Sequence, residues 1–216
     1  MDLLPIFLFA KLLYNINKEG NKMHLLIDNI NNYNENNYQD MIKLIEKEKV
    51  AKINKIKNEK AKKQSILGEY LLIKLLKDFY KIDYQKLTFY TNSNGKRYIN
   101  NKKIYFNISH KNNYVTTVIS KKEIGIDIEE VKDIDTKIIK KITTTHEEKY
   151  ISEDKNKKNE RFIEVYTLKE AYIKMLGENI SKIKDYDFNK IYSNKEIRIK
   201  VDKNINNYII TICEKK

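Results

Sequence analysis

Apolar residues recur with two different periods along this chain, and the switches between them outline its elements. The run HLLIDNI at 24–30 predicts a first β-strand. An Asn-rich segment follows, then a Lys-rich stretch at 39–63 that predicts a long polar helix. The apolar run at 65–80 predicts a buried helix, with Ile66, Tyr70, Ile73 and Lys77 set against Leu67, Leu71 and Leu75 at helical spacing. Short β-like runs come next at 86–91, 97–100 and 103–109. The turn SNGK at 93–96 has hairpin chemistry, because Asn-Gly tolerates positive φ. In the second half, 114–120 and 123–129 read as consecutive strands joined by a Lys-Lys turn. Helices are predicted at 136–153 and 159–176, the latter with Val165, Leu168, Tyr172 and Met175 on one stripe. Segments 196–201 and 207–214 read as a closing hairpin. Strand, helix and hairpin thus occur twice, which predicts an α+β fold of two similar subdomains, although no clear sequence repeat accompanies them.

Composition narrows the class. A chain of 216 residues has room for one sizeable domain or two small subdomains, and 41% hydrophobic with 34% charged residues is too apolar for a disordered protein. The single cysteine, Cys213, excludes an internal disulfide framework and a cysteine zinc site, and fits a reducing cytoplasm. The formal net charge of +13 would attract nucleic acid, anionic membranes, acidic proteins or phosphorylated small molecules. Lysine and asparagine are abundant and tryptophan is absent, a pattern of AT-rich coding, so charge alone does not assign nucleic-acid binding. The leading stretch MDLLPIFLFAKLLYN lacks a basic n-region and a small-residue cleavage site, Lys11 interrupts it, and it is too short to span a bilayer. Residues 1–22 therefore read as an extension before Met23, and no other segment is a membrane candidate.

The strongest chemical signal is Gly125-Ile126-Asp127-Ile128-Glu129. Side chains alternate along a strand, so Asp127 and Glu129 share one face while Ile124, Ile126 and Ile128 share the other. Two carboxylates so close repel, and a hard divalent cation would offset that repulsion. Gly125 would leave space for a bulky ligand near the backbone. A solvated face on an edge strand is the competing reading. A third carboxylate, Glu170, stands four residues before Lys174 on the predicted helix, the favourable order for an ion pair, and a surface pair explains that spacing equally well.

Taken together, GIDIE at 125–129 and YTLKEAYIK at 166–174 resemble the two motifs of the 4′-phosphopantetheinyl transferase superfamily, in order and at the right separation. The position of GIDIE, about a hundred residues in, resembles the longer, surfactin-synthetase-activating type. FNISH at 106–110, NGK at 94–96 and SILGEYLL at 65–72 are similar to further family segments, so the likeness covers 23–216. Gln64 stands where the family usually has arginine, Arg97 follows Gly-Lys in place of proline, Tyr166 replaces the usual tryptophan, and Thr143 a frequent phenylalanine.

The resemblance implies two similar α/β subdomains in pseudo-twofold arrangement, 23–112 and 113–216, the second carrying the metal site. It implies transfer of the 4′-phosphopantetheine arm from coenzyme A to a serine of an apo acyl or peptidyl carrier protein, releasing 3′,5′-adenosine bisphosphate, in fatty-acid, polyketide or nonribosomal peptide synthesis. Asp127, Glu129 and Glu170 are then expected to hold Mg²⁺. Lys174 would neutralise phosphate with Lys169 in support, and Ser109 and His110 would hold coenzyme A phosphate oxygens. Gly95 and Lys96, together with Lys49, Lys52 and Lys63, complete the expected coenzyme A contacts. Glu170 or Glu147 would accept the serine proton. The expected partner is an acidic carrier protein, with no nucleic acid and no membrane, and the expected state is a cytoplasmic monomer. A basic nucleic-acid-binding protein and a non-catalytic coenzyme A-binding relative of the same fold are the alternatives.

Overall fold

The computed structural model describes residues 23–216 and the backbone of Lys11–Asn15. The chain divides into two compact units, one made of the residues up to Phe89 with Ile99–Lys121, the other of Tyr90–Tyr98 with Lys122–Lys216. The rest of the expected extension at 1–22 lies outside the described residues.

In the first unit, β1 (Lys11–Asn15) pairs antiparallel with β2 (His24–Asn29), so part of the expected extension joins the sheet. Three helices follow: α1 (Glu35–Lys43), α2 (Lys47–Asn54) and α3 (Glu59–Tyr80). The single polar helix predicted over 39–63 is thus broken twice. Ile45 and Ile53 are buried beside the breaks, and Asn58 restarts the chain as an N-cap, its side chain accepting from Ala61 N. The hairpin strands β3 (Phe89–Thr91) and β4 (Arg97–Ile99) precede β5 (Tyr105–Lys111) and β6 (Tyr114–Ser120). The antiparallel sheet runs β1-β2-β6-β5, and α3 packs on it. Gly68 permits the contact: a Cβ there would lie 2.8 Å from Ile108 Cγ2. Leu67, Leu71, Leu75 and Tyr70 of α3 form one cluster with Val115 and Ile119 of β6, as their helical spacing predicts.

The second unit starts with β7 (Ile124–Glu130), followed by α4 (Thr136–Ile142), α5 (Thr145–Ser152), α6 (Lys158–Leu176), α7 (Phe188–Ser193), β8 (Ile197–Asp202) and β9 (Tyr208–Lys215). Its antiparallel sheet runs β7-β9-β8. The expected duplication is visible in this connectivity: β2-α3-β5-β6 and β7-α6-β8-β9 each place the last strand between the other two. The helix predicted at 136–153 is two helices, because Thr144 forms a capping box with Glu147 and starts α5 afresh. Strands β6 and β7 are not a hairpin, since β6 pairs with β2 and β5 while β7 pairs with β9. The division therefore falls after Lys121, whereas a boundary at 112/113 would cut the turn of the β5–β6 hairpin.

Most of the β3–β4 hairpin, Tyr90–Tyr98, belongs to the second unit, and only Phe89 and Ile99 at its base belong to the first. Gly95 turns it with φ 89°, and Asn92 N donates to Lys96 O at 2.9 Å. The side-chain amides of Asn92 and Asn94 donate to Gly177 O at 2.9 and 3.0 Å. Gly177, at φ 70°, is the left-handed cap that ends α6. Among the described residues, no helix is long and apolar enough to cross a membrane.

Candidate active site

Strand β7 is the outer strand of its sheet, yet its first five residues are buried. The face carrying residues 125, 127 and 129 lies against α6. Gly125 is what lets the helix approach: a Cβ would sit 2.1 Å from Ala171 O and 2.3 Å from Met175 N. This corrects the sequence-based expectation for Gly125, because the space it leaves is filled by helix backbone and not by a ligand.

That contact sets Asp127 opposite the stripe of α6 formed by Tyr166, Glu170 and Lys174, each one turn after the last. Lys174 Nζ donates to Asp127 Oδ1 at 2.6 Å and lies 3.0 Å from Glu170 Oε2. Asp127 is only 2% exposed, so neither a solvated strand face nor a surface ion pair describes these residues. Burial pushes the Asp127 carboxyl up to about 7 in spite of Lys174, and the charges of Glu170 and Glu129 push the same way. Burial pulls Lys174 down, but Asp127 and Glu170 outweigh it and hold the ammonium above its ordinary value. Tyr166 is stacked on Phe162 with ring centroids 5.9 Å apart, and its phenol lies within the electrostatic reach of Glu170. Burial first, then Glu170, raises that phenol far above the usual tyrosine range. The four-residue spacing of Tyr166, Glu170 and Lys174 already signalled in the sequence that they share a face.

Among the described residues, no three acidic, histidine or cysteine groups converge as a ready metal cluster. The ammonium of Lys174 lies between Asp127 and Glu170, with half-buried Glu129 two residues further along β7. The donor set fits a hard dication, because all three groups offer carboxylate oxygens and the buried Asp127 resists ionising without a further positive charge. The electrostatics are those of a compact acidic site held shut by one lysine.

The other expected residues are placed as follows. In the second unit, Glu147 and Lys169 form a fully buried ion pair at 2.9 Å. Lys96 Nζ donates to Ile124 O at 3.1 Å and Met175 O at 2.7 Å, at the ends of the two site-bearing elements. Burial of this ammonium pushes it down to about 8, against the pull of Glu123. In the first unit, Lys49 lies 3.4 Å from the buried Glu69, which also accepts from Tyr84 OH. Lys52 is exposed on α2. Lys63 lies 3.7 Å from Glu35 and over the Tyr38 ring. Buried Ser109 and exposed His110 are neighbours on β5. Gln64, in the expected arginine position, is buried and donates to Asn112 O at 2.6 Å.

Comparison with known proteins gives a consistent result. The 4′-phosphopantetheinyl transferase superfamily model matches residues 123–214, and a model described as 4′-phosphopantetheinyl transferase, N-terminal, matches residues 32–122. A 4′-phosphopantetheinyl transferase gsp of Aneurinibacillus migulanus is 36% identical over 139 residues, covering 63% of this chain and 57% of that protein. The 4′-phosphopantetheinyl transferase psf-1 of Bacillus pumilus is 30% identical, with 55% and 52% covered. The 4′-phosphopantetheinyl transferase Sfp of Bacillus subtilis (strain 168) is 29% identical, with 63% and 62% covered. The chain thus spans between half and two thirds of the length of these relatives.

Proposed function

Because the chain belongs to the 4′-phosphopantetheinyl transferase superfamily, we propose that it moves the phosphopantetheine arm of coenzyme A onto a serine of an apo carrier protein, leaving 3′,5′-adenosine bisphosphate. The observation that carries this reading is the meeting of Asp127, from β7, and Glu170, from α6, on the single ammonium of Lys174.

Transfer requires a serine hydroxyl to attack the β-phosphorus of coenzyme A while charge builds on the bridging oxygen of the leaving phosphate. Mg²⁺ held by Asp127, Glu129 and Glu170 would supply electrostatic stabilisation of the pyrophosphate. Lys174 is the cation already present, and its raised proton affinity keeps it charged for phosphate neutralisation throughout the physiological range. Glu170 is the carboxylate best suited to accept the serine proton, since it is 9% exposed whereas Glu147 is sealed inside the unit. Gly95, Lys52, Lys63, Ser109 and His110 remain coenzyme A contacts by family resemblance. Lys49 and Lys96 are also claimed by that resemblance, although each, like Lys63, already has a partner within its own unit. The proposed partner is an acidic apo carrier protein, which the excess positive charge would steer. A cytoplasmic monomer is the proposed working state.

The test is incubation with coenzyme A, Mg²⁺ and a panel of apo carrier proteins, followed by intact-protein mass measurement. A phosphopantetheine mass increment on a carrier, lost in Asp127→Ala with the fold retained, supports the proposal. No increment on any carrier of the panel counts against it.

A further inference from the structure

The Glu147–Lys169 pair in the second unit has a bonding pattern that neither a base nor a phosphate ligand needs. Lys169 Nζ donates to Glu147 Oε2 at 2.9 Å and Oε1 at 3.2 Å, and to Ile142 O at 2.9 Å. Glu147 Oε2 also accepts from Thr144 N, and Oε1 from Phe188 N, both at 2.7 Å. Each carboxylate oxygen therefore has two donors, and both side chains are 0% exposed. The node joins the last residue of α4, the cap of α5, the first residue of α7 and the middle of α6.

Lys169 directly precedes Glu170 on α6, so fixing its Nζ fixes the rotation of the helix that presents Glu170 and Lys174 to β7. Apolar packing is non-directional and tolerates small rotations and slides of a helix. A saturated buried network admits one arrangement, because any slip leaves a charge without its partner. The apolar contacts of α6 surround this node: Ile163 and Val165 cluster with Ile139, Ile151 and Ile209, and Leu168, Ala171 and Met175 with Ile191 and Cys213.

We propose that Glu147 and Lys169 are positioning residues that set the rotation of α6, and that neither touches coenzyme A or the attacking serine. This rests on the transferase reading above for its kinetic consequence, but not for its structural one. It reassigns Glu147, a candidate base, and Lys169, a candidate coenzyme A ligand, to the framework that aims Glu170 and Lys174.

The experiment uses the full chain with Glu147→Gln and the double variant Glu147→Leu/Lys169→Met, which removes both charges together. Folding is checked by far-UV circular dichroism, α6 by amide hydrogen exchange, and Lys174 by its side-chain ammonium resonance. Transfer from coenzyme A to an apo carrier is followed against pH. The expected result is faster exchange across α6 and a weakened Lys174 resonance in both folded variants. In the same variants kcat falls by about tenfold, while the KM for coenzyme A and the shape of the pH profile stay those of the parent. Loss of the acid limb in Glu147→Gln, with a fall of about 100-fold or more and α6 exchange unchanged, would make Glu147 the base and overturn the proposal. A raised KM for coenzyme A in the double variant, with Lys174 undisturbed, would restore Lys169 as a ligand and also overturn it. So would unchanged exchange and unchanged Lys174 resonance in both variants. A parent that transfers nothing sinks the functional reading alone, and the exchange and resonance arms still decide the positioning role.

Discussion

Adding one methyl group at Gly125 should damage the site without touching any charged residue. The Cβ of Gly125→Ala would lie 2.1 Å from Ala171 O, 2.3 Å from Met175 N and 2.9 Å from Lys174 C. All three are backbone atoms of α6, so no flexible side chain can yield. Restoring an ordinary contact of about 3.4 Å to Ala171 O requires the strand and helix to separate by about 1.3 Å. Overpacking of this kind costs typically about 1–3 kcal/mol, and a rigid backbone obstacle belongs at the upper end. The same separation would stretch the 2.6 Å contact between Lys174 and Asp127 beyond hydrogen-bond range. A displacement of that size at a reacting centre costs about 100-fold in rate. Chemical denaturation of parent and variant gives the first quantity, and transfer at a temperature where both are folded gives the second. A Gly125→Ala protein with parental stability and parental transfer would show that the close approach of β7 and α6 does not set the site.

Lys174→Met leaves Asp127 buried beside Glu170 without its cation, and should lower stability in metal-free buffer by about 2–3 kcal/mol, discounted because Lys174 is partly exposed. Added Mg²⁺ should then raise the melting temperature of this variant more than that of the parent, as calorimetry would show. Lys96 has a folded-state pKa of about 8, below its unfolded value of 10.5, so the folded chain binds fewer protons between those limits. Stability from this group should therefore rise as pH increases from 8 to 10.5, by at most about 3 kcal/mol, and the stability difference between parent and Lys96→Met should grow in the parent's favour over that window. Tyr166→Phe removes the phenol beside Glu170 while keeping the ring stacked on Phe162, and should cost less than about 1 kcal/mol of stability with a several-fold fall in kcat.

The elements with strong apolar periodicity were legible in the sequence. Strand β7, helices α3 and α6, and the β8–β9 hairpin form close to where their patterns predict them. The breaks were harder to see. Asn58 and Thr144 cap α3 and α5 shortly after the buried Ile53 and Thr143, and burial of those residues is a tertiary demand that local composition does not carry. The carboxylates and lysine of the site could be read from spacing and family likeness, because Asp127 and Glu170 lie on motifs of fixed register. The real task of Gly125 was hidden, since a glycine in a strand signals close approach without saying of what. Glu147 and Lys169 could not be separated from the site in sequence: their spacing resembles that of site residues, and only the 2.9 Å contact between their buried side chains shows that they bond to each other.

The most direct measurement is phosphopantetheine transfer as a function of Mg²⁺ concentration for the parent, Asp127→Asn and Glu170→Gln, each confirmed as folded. Saturable Mg²⁺ dependence in the parent, with transfer abolished or its Mg²⁺ requirement shifted strongly upward in both variants, is the expected result. Transfer that proceeds equally well without Mg²⁺, or that survives intact in either variant, would contradict a site built from these carboxylates.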